Sequence, residues 1–169
     1  MIRIKYALLV TLLAGAMALL SGCAPTFPQQ ITDRVDKDIT FDDLTKNIDA
    51  YKGKWVMFAG VIADLRNEKD GGSSIEIVQK SADSDGRPLE TDRTGGRFIA
   101  VSKQFLDPAI HARGREITVV GEVEGVTVKP LGETSYQYPL ITVEALHLWE
   151  PARSPRFGIS LGIGVFHSH

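Results

Sequence analysis

A single cysteine, Cys23, stands in a chain of 169 residues. No intramolecular disulfide can form, and a lone cysteine in an exported protein is left to pair with another chain, to remain a free thiol or to be modified. Hydrophobic runs are equally scarce. The longest, residues 7–20 (ALLVTLLAGAMALL), has fourteen residues, about 21 Å as a helix against a hydrocarbon thickness of roughly 30 Å. A permanent membrane span is therefore the poorer reading of it. An excess of positive charge is also missing: 19 basic side chains face 21 acidic ones, a net charge of -2. The basic surface that grips a phosphate backbone is not available. Phosphate-cradling motifs are absent too, since GEVEG at 121–125 has no basic partner and GGR at 95–97 opens no P-loop.

The amino terminus carries the strongest local signal. Arg3 and Lys5 precede the apolar run, and Leu20-Ser21-Gly22-Cys23 follows it. A positive n-region, a short apolar stretch and small residues before a break are the parts of a cleaved secretory signal. With a cysteine directly after the small residues, the arrangement is that of a bacterial lipobox. The thiolate sulfur is the nucleophile that accepts diacylglycerol, and small side chains on its amino side leave room for a signal peptidase. One acyl chain anchors marginally whereas several hold stably. Removing residues 1–22 takes Arg3 and Lys5 away, leaving 17 basic against 21 acidic groups and a net charge of -4. The acyl chains, not electrostatics, must then hold the domain to a membrane. Ala24 after the cysteine, rather than Asp, fits sorting onward to the outer membrane.

Residues 24–38 contain Pro25, Pro28 and scattered charges without periodicity, which reads as a tether. Thr40, with Asp43 three residues on, resembles a capping box, and Phe41, Leu44, Ile48 and Tyr51 recur at near-helical spacing up to Gly53. The pattern then changes. Residues 54–65 are apolar on both alternating faces, with Gly60 mid-run where a curved sheet needs a bend. Further strands are expected at 74–80, 96–101, 115–123 and 136–149, with a polar loop at 81–95, a turn or short helix at 104–113 and a polar connection at 125–135. In the last strand Ile141, Val143, Ala145, His147 and Trp149 are expected to share the inward face. The order β, β, β, short α, β, β is that of the OB-fold, a small five-stranded partly open barrel; an irregular antiparallel sandwich is the competing architecture. The expected division is residues 1–22 as signal peptide, 23–39 as acylated terminus and tether, 40–150 as mainly β domain, and 151–169 as a glycine-rich apolar tail.

Chemistry-bearing residues are few. Of the four histidines, His111 falls on a turn, His147 on the last strand, and His167 and His169 lie two apart at the terminus, a spacing suited to adventitious chelation. Asp83, Asp85, Glu90 and Asp92 cluster in one loop with Arg87 and Arg93 among them, without the spacing of a calcium loop. Asp107-Pro108 is explained by turn geometry. No catalytic, cofactor or metal residue is assigned, and the acylation site Cys23 is the one site residue. A binding module is favoured over a periplasmic hydrolase or enzyme accessory, and over an oligonucleotide-binding OB domain, for which an acidic, exported barrel is poorly suited.

Several phrases occur in order: Leu-Ser-Gly-Cys at 20–23, the strand at 55–60, Gly96-Arg97-Phe98, Phe105-Leu106-Asp107-Pro108, Gly114-Arg115, Ile117-Thr118-Val119-Val120-Gly121, Tyr136-Gln137-Tyr138-Pro139 and Leu148-Trp149. Together they resemble the Slp family of outer-membrane lipoproteins, named for a starvation-inducible member. The resemblance implies a lipid anchor at Cys23, a place on the periplasmic face of the outer membrane, and delivery by the lipoprotein-sorting machinery. It also implies service under starvation, stationary phase or acid stress, with an envelope component as partner and no agreed enzymatic activity.

Overall fold

Short alternating apolar runs broken by glycine-rich turns build the wall of the domain. The computed structural model describes residues 25–151, and its five strands are β1 (Trp55–Asn67), β2 (Ser73–Lys80), β3 (Gly96–Ser102), β4 (Glu116–Leu131) and β5 (Thr134–Leu148). Two short helices, α1 (Gln29–Thr32) and α2 (Phe41–Lys46), and a 3-10 turn, Ile48–Tyr51, precede them. The signal peptide, Cys23, and the tail beyond Pro151 with His167 and His169 lie outside the described residues.

β1 pairs antiparallel with both β2 and β4, β2 with β3, and β4 with β5, while β3 meets β5 in parallel. The order β1-β2-β3-β5-β4 is the OB ring. Its weakest seam is β3–β5, joined by three residue pairs from Ile99–Leu140 to Val101–Thr142. The barrel is thus partly open, as the sequence predicts, and the sandwich alternative is set aside. Inward-facing Val56, Phe58, Ile62, Ile75, Ile77, Phe98, Ala100, Ile117, Val119, Val123 and Ile141 form the core. Gly60 is required among them, because a Cβ there would stand 2.2 Å from the Val78 carbonyl oxygen.

α2 covers one end of the barrel with Phe41 and Leu44, and the Phe41 ring meets Phe58 edge-on at 5.2 Å between centroids. Thr40 caps it: the hydroxyl accepts the Asp43 N–H at 3.1 Å and donates to the Asp43 carboxylate. That hydroxyl bond holds the Asp43 carboxyl below its ordinary value, with the Lys46 charge adding to the effect. The expected apolar stripe is therefore real but divided between a six-residue helix and the 3-10 turn.

Three expectations need correction. The polar connection placed at 125–135 is instead the end of a long hairpin, with β4 and β5 paired through to Leu131–Thr134. Gly132, at φ 63°, occupies the first loop position and Glu133 the second without positive φ, the type II′ pattern that suits the strand twist. At 104–113 the turn of the two alternatives forms, and the short α of the expected order is missing. Asp107 turns the chain there by accepting the Ala109 N–H at 2.8 Å, and Leu106 alone is buried while Phe105 and Ile110 stay exposed. A helix would have had too little apolar surface to cover. Finally, His147 and Trp149 do not share the face of Ile141. Val120 pairs with Ala145 but Gly121 with Val143, leaving Glu144 as an extra residue. A β-bulge of this kind reverses the side-chain alternation beyond it, so Leu146 and Leu148 pack on the core and His147 and Trp149 turn outward.

Residues 25–38, read from composition as a tether, lie against the barrel. Phe27 is buried, the Asp36 N–H bonds the Trp55 carbonyl at 2.9 Å, and the Arg34 guanidinium lies 3.3 Å from the Trp55 ring centre.

Candidate functional site

The Phe58 and Phe98 rings meet across the core at 6.1 Å between centroids. Side chains alternate along a strand, so their neighbours Met57 and Ile99 point out of opposite walls. Each wall carries a cleft.

Outside β1, β4 and β5, a cleft of about 560 Å³ lies between the Phe27 segment, Met57, the loop at 84–86 and Trp149. Its aromatic side is rigidly set. Thr118, buried, donates its hydroxyl to the Gly86 carbonyl at 2.6 Å and accepts the Trp149 indole N–H at 2.9 Å. His147 stands between two rings, 4.5 Å from Trp149 and 6.3 Å from Phe27 between centroids. Arg87 closes the edge, bonded through Nε to Glu116 at 2.8 Å and through Nη2 to the Glu150 carbonyl at 3.0 Å, with its guanidinium 5.6 Å from the Trp149 ring.

Outside β2 and β3, the hairpin arm of β4 and β5 folds over the sheet. Lys129 and Pro130 from the arm, Asp64 and Arg66 from β1, Ser74 and Glu76 from β2 and Ile99 from β3 line a cleft of about 230 Å³. Ile99 faces outward yet is only 2% exposed, because the arm covers it. Polar bonds fix the arm: Tyr136 accepts the Arg97 N–H at 3.1 Å, Tyr138 donates to Glu76 at 3.4 Å, and Arg97 pairs with the same carboxylate. Burial, and after it the Glu76 charge, raises the Tyr138 hydroxyl above its ordinary value of 10.0.

The other residues singled out from the sequence do not converge. Asp83 accepts the N–H groups of Asp85 and Arg87 and so shapes its loop, and the His111 ring nitrogen Nδ1 lies 3.3 Å from the Asp107 carbonyl oxygen. Among the described residues no three His, Cys, Asp or Glu side chains gather as a metal site. Sequence reasoning missed Phe27, Met57, Tyr138 and the Glu76–Arg97 pair as site residues. A lone bulky aromatic between Pro25 and Pro28 is the one signal that would have flagged the first.

The family model described as "Outer membrane lipoprotein Slp family" matches residues 20–160, from just before Cys23 to beyond the last strand. The chain belongs to the Slp family. A member-like relative in Escherichia coli (strain K12), the "Uncharacterized lipoprotein YeaY", is 32% identical over 142 residues, covering 82% of this chain and 71% of that protein. Among solved structures the chain is similar to a small single-stranded DNA-binding protein from Streptomyces coelicolor, at 15% identity and a TM-score of 0.36 over 57% of this chain and 94% of that one. It is also similar to the Plasmodium falciparum SSB in complex with ssDNA, at 15% identity and a TM-score of 0.33 over the same shares of 57% and 94%. Likeness at that level carries nothing about ligands. Slp-family membership makes this an outer-membrane lipoprotein with a periplasmic β domain.

Proposed function

We propose that the chain is a binding module, held on the outer membrane by acyl chains on Cys23 after delivery by the sorting machinery, and that it engages another envelope component under starvation, stationary-phase or acid stress. The observation that carries the binding role is the cleft beneath the arm. OB barrels bind ligands on the face of their second and third strands, next to the loop between the fourth and fifth, and here that loop is drawn out into an arm fastened over that face. Asp64, Arg66, Glu76 and Lys129 around the rim of the cleft, with Pro130 and the covered Ile99 behind them, suit an elongated partner with several polar groups. A small anion or a metal would not use such a mixture of charges.

Arg66→Glu combined with Lys129→Glu reverses two exposed charges without entering the core. A strain lacking the protein is complemented with wild type, Cys23→Ala or this double variant, and stationary-phase and acid survival are scored beside intact mass and membrane fractionation. The double variant is expected to be acylated, folded and in the outer membrane yet to complement poorly. Full complementation by it overturns binding at this cleft. Membrane retention of Cys23→Ala, or an unacylated wild-type chain, overturns the anchor.

A further inference from the structure

Three residues separate the anchoring position from a fixed point on the barrel wall. Pro25 and Thr26 already line the Met57–Trp149 cleft, and Phe27 is 5% exposed beside them. Successive Cα atoms stand about 3.8 Å apart, so the Cα of Cys23 lies within roughly 7.6 Å of that of Pro25. Acyl chains on Cys23 must enter the bilayer from that position, which leaves the domain almost no standoff.

We propose that the wall formed by Phe27, Met57 and Trp149 rests on the lipid surface, so that the barrel docks on the membrane in a fixed orientation; this rests on the acylation of Cys23 proposed above. The occupant of the cleft is the interfacial zone of the phospholipid leaflet. The chemistry of the wall fits it. Met57 is an apolar residue left 38% exposed on a barrel strand, and tryptophan rings are enriched at membrane interfaces; Trp149 offers its ring there, its N–H being bonded inward to Thr118. The cationic groups nearby are largely committed, Arg87 to Glu116 and Arg34 to the Trp55 ring. The lining also carries Gln29, Thr32, Ser84 and Asp85, so the contact mixes apolar and polar groups, and the Asp85 carboxylate favours a leaflet of neutral headgroups.

The protein has two tryptophans, which makes the test direct. Full-length lipidated protein is reconstituted into phosphatidylcholine vesicles brominated near the headgroup end of the acyl chains, after its mass has been measured. Trp55→Phe leaves Trp149 as reporter and Trp149→Phe leaves Trp55. The expected result is quenching of Trp149 at least twofold stronger than that of Trp55, with shielding of Trp149 from aqueous acrylamide, and loss of both effects in acylated Met57→Asp. Equal, weak quenching of the two tryptophans in protein of the acylated mass overturns the docked orientation while leaving the anchor intact. A mass without acyl chains overturns the anchor itself, and the docking with it.

Discussion

Phe27→Ala tests whether one side chain holds the segment that leads to the membrane. Phe27 is almost fully enclosed but touches the outer wall, apart from the core cluster of the barrel. Phe→Ala changes in interiors cost about 3–5 kcal/mol, and the lower end applies where neighbours can close over the space; Met57 and His147 can do so here. A cost of about 3 kcal/mol raises the opening equilibrium of residues 25–38 by roughly 100-fold, since every 1.4 kcal/mol is a factor of ten. The Asp36–Trp55 backbone bond and the Arg34 stack remain, so the segment opens more often without being released outright. Hydrogen exchange followed by mass spectrometry reads this locally: peptides from 25–38 lose about two decades of protection, whereas peptides from β1 and β4 keep theirs. Unchanged exchange in 25–38 would refute the argument, and so would an equal loss throughout the strands, which would make Phe27 part of the cooperative core.

Gly60→Ala drives a Cβ against the Val78 carbonyl and is expected to cost about 3 kcal/mol, the upper end for overpacking, lowering Tm by roughly 10 °C in thermal unfolding. Thr40→Ala removes the α2 cap at about 1 kcal/mol. Because the Thr40 bond lowers the Asp43 carboxyl below 3.8, the linked stabilisation is present above that pH and is lost as the pH falls through the folded value. The variant should therefore show a shallower acid limb in denaturant titrations. Tyr138 has the opposite sign: its hydroxyl is raised above 10.0, so the neutral form is favoured, and stability is kept below pH 10 and lost as the pH climbs through the raised value. Tyr138→Phe should cost under about 1 kcal/mol at neutral pH, as for one long hydrogen bond, and should flatten the alkaline limb.

Alternation and turn chemistry made the barrel legible, because β2 and β3 obey them without interruption. Ile75 and Ile77, and Phe98 and Ala100, point inward as their spacing predicts. Where the reading departs from the structure, a local rule was overridden. Gly125 and Pro130 look like loop punctuation, yet both lie inside β4, in an arm whose partner strand tolerates them. Glu144 carries no mark of a bulge, and one unannounced residue was enough to turn His147 and Trp149 to the other side. The sites were less legible still. The lipobox is a contiguous motif, whereas both clefts depend on packing between distant segments: Phe27 against His147, and Lys129 over Ile99. No periodicity in a single stretch encodes those meetings.

The two phenylalanine rings that meet across the core also act as a spacer. Because Phe58 and Phe98 meet through the middle of the barrel, a domain docked by its Met57 wall turns the Ile99 wall toward the aqueous compartment. Packed sheets stand about 10 Å apart, so the arm and its charged rim are carried clear of the headgroups by the thickness of the core. A partner would then approach from the periplasm rather than from within the bilayer, and the short reach of the anchor, far from restricting access, would keep the arm presented toward it.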